Sequence, residues 1–167
     1  YDPRSQADST RGTSSAHLVE SIDLIPTFLA SLGFVGAPEA LEGKSLVPLL
    51  HGKSVLWREA VFSELDYAFH ADVREDLNRS VDECRGYMAF DGRWKFILWE
   101  GFPPMLFDHE SDPDERVDLG QSTAHWEVRE RMEKVLFTWL RGLKNRTTVG
   151  NKFVEEWRDT DFHIGQW

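Results

Sequence analysis

The sequence has a single cysteine in 167 residues, so the fold cannot depend on an internal disulfide. It also lacks an apolar run long enough to cross a bilayer, which argues against a membrane span. Basic residues are scarce: 19 Lys and Arg stand against 29 Asp and Glu, a formal net charge of −10. They form no cluster that could follow a phosphate backbone, which argues against nucleic acid as a partner.

Aromatic residues, in contrast, are abundant, with seven Trp and eleven Phe. Aromatic side chains carry large apolar surfaces, so this content predicts extensive burial, either inside the chain or against a partner. The length is sufficient for one domain with a core or for a large subdomain of something bigger.

The first third of the chain predicts short helices. Pro26 interrupts an amphipathic pattern, which predicts a helical turn to Asp23 and a second helix that starts near the proline and stops at Gly33. A further helical turn is predicted over Ser45 to Leu50. The apolar residues of the first pattern recur at helical spacing: Leu18, Ile22, Ile25, Leu29 and Leu32.

The remainder predicts an antiparallel meander followed by a long helix. Asp91-Gly92 is a strong hairpin signal between two of the strands. The helix starts at Ser122 and carries a wide apolar stripe. We therefore predict an α+β fold, in which a small sheet of three to four strands is covered by the C-terminal helix. The strand signals are Glu59 to Leu65, Arg85 to Phe90, Arg93 to Trp99 and Met105 to Asp108.

Three motifs in this order resemble the sulfatase and alkaline phosphatase superfamily. Together they cover roughly residues 20 to 140, which is far less expected by chance than any one motif alone. They are ESIDLIPTFLASLG at 20–33 with LEGKSLVPLL at 41–50, YMAFDGRWKF at 87–96, and LFDHESDPDERVDL at 106–119.

Within this superfamily the chain resembles the phosphonate monoester hydrolase and phosphodiesterase branch, through Cys84-Arg85 and EGFPPMLFD at 100–108. The ending FHIGQW at 162–167 is similar to the tail through which that branch makes oligomer contacts. The resemblance implies that residues 1–55 end a larger alkaline-phosphatase-like α/β catalytic domain. It implies that residues 56–146 form the C-terminal subdomain, and residues 147–167 an aromatic tail for homo-oligomer contacts.

The resemblance also implies a chemistry whose residues this sequence lacks. Enzymes of this kind cleave sulfate, phosphonate monoester or phosphodiester bonds with a divalent metal (Ca, Mn or Zn) and a nucleophile in a C/S-x-P-x-R motif. Cys84 lies instead in Cys-Arg-Gly-Tyr-Met, and the Asp-His-Gly metal motif has no counterpart. We therefore predict no catalytic residue, metal ligand or cofactor on this chain. Its partner would be the N-terminal catalytic part of the same protein, without which it would be inactive.

Only a few residues remain as site candidates. Asp108-His109 resembles half a metal motif, but it lies in a turn and we predict a structural role. The segment after the first strand lies toward the active-site mouth in the resembling family. Tyr67, His70 and Arg74 are therefore predicted as a substrate-binding pocket rim.

Two other functions compete with the hydrolase interpretation. The acidic surface, the tryptophans and the aromatic tail would suit a stand-alone protein-interaction module. An independent acid/base enzyme could use Glu64 and Asp66, two carboxylates on one face of a strand, but no nucleophile or oxyanion group supports it.

Overall fold

The computed structural model describes residues 2–34 and 40–143. The predicted tail contact at 147–167 lies outside these residues. Four α-helices and four strands alternate with short 3₁₀ turns in the described part. In chain order the elements are α1 (Leu24–Ser31), α2 (Val47–Leu50), β1 (Val61–Asp66), α3 (Ala71–Asp76), β2 (Arg85–Phe90), β3 (Trp94–Trp99), β4 (Met105–Asp108) and α4 (Trp126–Gly142).

Helix α1 runs through Pro26 without a break. A 3₁₀ turn over Ser21–Asp23 leads directly into the helix, which begins at Leu24, close to the proline, as the sequence predicts. Pro26 therefore falls in the first turn, where a backbone N–H has no partner within the helix and its loss costs nothing. The predicted stop is confirmed, because Gly33 takes a positive φ of 80° just after the helix.

The four strands form one antiparallel sheet in the order β1-β2-β3-β4, as the meander prediction required. Ala89 pairs with Phe96, and Phe96 with Leu106, so the register places these side chains in one row across the sheet. All three are fully buried. The row forms the sheet side of the hydrophobic core.

The hairpin between β2 and β3 turns one residue later than predicted. Asp91 pairs with Trp94 through its backbone N–H, which leaves Gly92 and Arg93 as the two central residues. Gly92 takes a φ of 96°, as the first central position of a type II′ turn requires. The Asp91 carboxylate accepts hydrogen bonds from the backbone N–H groups of Arg93 and Trp94, at 3.0 and 2.7 Å.

Helix α4 covers one face of the sheet and completes the core. A 3₁₀ turn over Thr123–His125 follows Ser122, and the α-helix itself begins at Trp126. Met132 and Leu136 are fully buried against the central row of the sheet. At the edge of the core, the rings of Phe62 and Trp139 stack in parallel with centroids 4.7 Å apart. The predicted α+β fold, with its sheet covered by the last helix, is confirmed.

Candidate functional site

Asp108 and His109 have structural partners, as their position in a turn predicts. Arg93 donates two hydrogen bonds of 2.9 Å to the Asp108 carboxylate, and these bonds hold the pKa of Asp108 below its ordinary value. The His109 ring contacts Glu115 at 2.8 Å, and Glu115 also accepts hydrogen bonds from Lys95. The pair therefore fastens the turn to the sheet.

The two carboxylates considered for acid/base chemistry lie at an exposed strand end. Glu64 and Asp66 are both exposed on β1, opposite Tyr87 and Arg85 of β2. One oxygen of Asp66 accepts a hydrogen bond of 2.8 Å from the backbone N–H of Ala68, in the loop that follows. This geometry is that of a solvated strand end.

The predicted rim residues lie on one segment, residues 67–83, which we call the rim segment. Tyr67 is only 7% exposed, and its ring packs edge-on against Trp99. Burial raises the pKa of Tyr67, and the neighbouring Cys84 adds to the shift. His70 is exposed just before α3, and Arg74 is half-buried within it. Of the three candidates, Tyr67 is thus buried, His70 is exposed and Arg74 is half-buried. Their role at a pocket rim stays a prediction.

The described residues do not fit a metal ion. Within 2–34 and 40–143, no group of three or more His, Cys, Asp or Glu side chains is placed to hold one. Cys84 is fully buried, and its thiol donates a hydrogen bond of 3.2 Å to the Ser80 carbonyl oxygen. We therefore derive no metal-dependent step from this region.

The strongest polar cluster is a buried ion pair that sequence reasoning missed. The Arg58 guanidinium donates to both oxygens of the fully buried Asp23, at 2.5 and 2.6 Å. Backbone N–H groups of Glu20 and Lys44 also donate to this carboxylate, at 2.9 and 2.8 Å. Burial alone would raise the pKa of Asp23, but these hydrogen bonds outweigh burial and lower it. Every oxygen of the carboxylate is thus satisfied.

Further contacts extend this ion pair into a joint between α1 and the sheet. Glu20 contacts Arg58 at 3.1 Å and accepts a hydrogen bond of 2.8 Å from the backbone N–H of Phe62 in β1. Thr27 donates to the Asp23 carbonyl oxygen and accepts from the backbone N–H of Leu46. The one sequence signal for this joint was the spacing Glu20-x-x-Asp23, which forms a capping box at the start of the 3₁₀ turn.

Gly43 allows the backbone of the loop before α2 to pack closely against the backbone of Ile22, next to this joint. A Cβ atom there would lie 2.1 Å from the backbone oxygen of Ile22, a distance that no side chain tolerates. We expect Gly43→Ala to cost about 2 kcal/mol or more, since the backbone around Asp23 has to move. Urea unfolding followed by tryptophan fluorescence measures the loss. Gly142→Ala is the matched control, because a Cβ at Gly142 meets nothing within 4 Å and Ala favours a helix. Equal stabilities of the two variants would contradict the prediction.

The lowered carboxyl pKa values predict a loss of stability in acid. Asp23 and Asp108 have folded pKa values below their ordinary value of about 4, so the folded state binds fewer protons than the unfolded state. Their contribution is complete above about pH 4 and is lost as the pH falls below it. Urea midpoints measured from pH 7 to pH 3 should fall mainly below pH 4. A midpoint that stays constant over this range would contradict the assignment.

Helix α1 presents its apolar side to the outside. Thr27 in the helix and Asp23 just before it are buried, whereas Ile25, Phe28 and, just after the helix, Leu32 are exposed, Phe28 by 58% and Leu32 by 73%. We call these three residues the α1 face. An amphipathic helix normally buries the opposite side, because apolar surface is costly in water. The arrangement indicates a surface that another part of a protein covers.

These features define a class of domain. A meander sheet with one covering helix is joined by a buried ion pair to a helix whose apolar side is uncovered, and the described part holds no metal cluster. The uncovered apolar residues indicate that another part of a protein packs on this helix. The comparison with known families agrees: the chain belongs to the family described as N-sulphoglucosamine sulphohydrolase, C-terminal, which matches residues 5–141. It is thus the C-terminal region of a protein in the sulfatase and alkaline phosphatase superfamily.

Similar proteins include both sulfatases and phosphonate hydrolases. The multifunctional alkaline phosphatase superfamily protein PehA of Trinickia caryophylli is 33% identical over 77% of this chain and 25% of its own length. An arylsulfatase of Clostridium perfringens is 26% identical over 93% of this chain and 29% of its own length. The crystal structure of the phosphonate monoester hydrolase of Agrobacterium radiobacter superposes with a TM-score of 0.69 at 28% identity, covering 79% of this chain and 27% of that one. The chain therefore spans less than a third of these relatives.

The comparisons confirm the resemblance inferred from the three motifs, including that to phosphonate monoester hydrolases. As a separate finding, no helix in the described ranges is long and apolar enough to cross a membrane.

Proposed function

We propose that this chain is the C-terminal portion of a metal-dependent hydrolase that cleaves sulfate, phosphonate monoester or phosphodiester bonds. The nucleophile and the metal ligands would lie in an N-terminal portion, and the region by itself would be inactive. The names of its relatives, an arylsulfatase and a phosphonate monoester hydrolase among them, support sulfate and phosphonate monoester bonds as substrates.

The observation that carries the proposal is the inverted helix α1. Its apolar face is exposed, while Asp23 at its start is held by the ion pair to Arg58, which lies in the segment before β1. The longer relatives have nearly three quarters of their length outside the matched part, enough for a catalytic domain that would cover this face. In this arrangement the ion pair fixes the angle at which α1 meets the catalytic domain.

The predicted division of the chain belongs to the same proposal. Residues 1–55, which include α1, would complete the catalytic domain, and 56–146 would form the sheet-and-helix subdomain. The tail at 147–167 would contact a second copy of the enzyme. Tyr67, His70 and Arg74 would lie at the rim of the substrate pocket.

The direct test is an activity comparison between the region alone and the longest open reading frame that contains it. We expect the longer protein to hydrolyse para-nitrophenyl sulfate, para-nitrophenyl phenylphosphonate or bis-para-nitrophenyl phosphate, and to lose activity when a chelator removes divalent metal. We expect the region alone to hydrolyse none of them.

The competing interaction-module interpretation makes the opposite prediction. An open reading frame that encodes no C/S-x-P-x-R motif and no Asp-His-Gly motif upstream would defeat the hydrolase proposal. In that case a stable, monodisperse product without hydrolytic activity would favour the binding module.

A further inference from the structure

Arg79 fastens the rim segment to the turn between β3 and β4. Its guanidinium donates a hydrogen bond of 2.9 Å to the Gly101 carbonyl oxygen and lies 4.6 Å from the centre of the Phe102 ring. Glu83, four residues further on, lies 3.6 Å from the same guanidinium. The cation–aromatic contact with Phe102 and the hydrogen bond to the Gly101 carbonyl oxygen together hold Arg79 against this turn.

The turn is shaped for this guanidinium. Gly101 takes a φ of 77°, which side-chain-bearing residues rarely adopt, and a Cβ on it would lie 2.3 Å from a terminal nitrogen of Arg79. The guanidinium therefore occupies the space that a side chain at position 101 would fill. Among the described residues its buried Nε has no hydrogen-bond partner, so the side chain occupies this position because of its other contacts.

The rim segment is also attached to the rest of the chain by the Tyr67 ring, which packs on Trp99, and by the Cys84 thiol, which donates to the Ser80 carbonyl oxygen. Its two ends are joined by a hydrogen bond of 3.0 Å between the Tyr67 N–H and the Cys84 carbonyl oxygen. Between them α3 is one short helix, and Asn78 takes a left-handed φ of 51° immediately before Arg79. The backbone N–H of Arg79 donates to the Arg74 carbonyl oxygen. Any displacement of Arg79 is thus passed directly to α3.

We propose that Arg79 is a positioning residue that fixes α3, and with it His70 and Arg74, against the β3–β4 turn and thereby sets which leaving groups the full enzyme accepts. The inference rests on the proposed hydrolase function and on the predicted rim role of these residues. Because Arg79 would act through the segment, we expect its loss to change substrate binding more than the chemical step.

The test uses the full-length enzyme with Arg79→Gln and Arg79→Lys. Kinetics compare a small and a bulky ester of the same acid, para-nitrophenyl and methylumbelliferyl, and hydrogen exchange follows the amides of residues 71–83. For Arg79→Gln we expect KM for the bulky ester to change on the order of tenfold, with kcat nearly unchanged, and the amides to lose protection. Arg79→Lys keeps the cation over Phe102, so it should recover part of the effect.

Arg116→Gln is the matched control, because Arg116 is a well-exposed arginine that pairs with the exposed Asp114. It should leave both readouts unchanged. Equal losses of kcat for both esters, unaltered KM values, or unaltered exchange in Arg79→Gln would each overturn the inference. A wild-type enzyme that hydrolyses no ester would instead defeat the proposed function, and the exchange measurement would still decide whether Arg79 holds the segment.

Discussion

Replacing Asp23 with Asn is expected to lower the free energy of unfolding by about 3 kcal/mol, the low end for breaking a buried ion pair. The substitution keeps the size of the side chain but removes the charge that faces Arg58 at 2.5 and 2.6 Å. Arg58, whose side chain is 10% exposed, would then keep Glu20 as its nearest carboxylate, at 3.1 Å. The remaining partner is the reason that we expect the low end of the range.

Urea unfolding of the wild type and the variant, followed by tryptophan fluorescence, measures this difference. Asp114→Asn is the matched control, because Asp114 pairs with Arg116 on an exposed turn, where such pairs contribute about 0–1 kcal/mol. A further comparison tests the hydrogen-bond geometry: Arg58→Lys keeps the charge but loses the two-pronged contact, so it should also destabilise the fold. A loss below about 1 kcal/mol in Asp23→Asn would contradict the structural importance of this pair.

The meander and the last helix were predictable because their signals are local. Alternating residues, a glycine-containing turn and an apolar stripe lie within a few residues of one another, and each describes its own element. The hairpin was misplaced by one residue because both Asp91-Gly92 and Gly92-Arg93 give two-residue turns. The side chain of Asp91, which accepts two backbone N–H groups, selects the second.

The joint between α1 and the sheet was not predictable in the same way. Asp23 and Arg58 lie 35 residues apart, and neither lies in a sequence pattern that predicts a buried side chain. Local reasoning assigned Asp23 to the end of a helical turn, which is correct but incomplete. The orientation of α1 was also hidden, because its periodicity marks an apolar side without telling whether this chain or another part of the protein covers it.

Polar substitutions in the exposed α1 face should have different effects in the region alone and in the full-length protein. In the region alone, the double change Ile25→Gln and Phe28→Gln should reduce the binding of an apolar dye and reduce aggregation, since both side chains are exposed there. The free energy of unfolding should change by no more than about 0.5 kcal/mol for each, as for other surface substitutions. The unsubstituted region is expected to bind the dye strongly and to be marginally stable.

In the full-length enzyme the same double change should be damaging. If the catalytic domain covers this face, burying the exposed half of two large apolar side chains contributes roughly 2–3 kcal/mol, and glutamine loses most of it. We therefore expect a lower unfolding temperature and a smaller active fraction. Thermal unfolding and hydrolytic activity measure both effects on one preparation.

Val117→Gln provides the control, because Val117 is as exposed as Phe28 but lies in the loop between β4 and α4, away from α1. It should reduce dye binding slightly in the region alone and leave the full-length enzyme stable and active. If the double α1 variant were equally harmless in the full-length enzyme, the α1 face could not be the contact with a catalytic domain. If it destabilised the region alone as strongly as the enzyme, the face would already be packed within this chain, and the inverted helix would need another explanation.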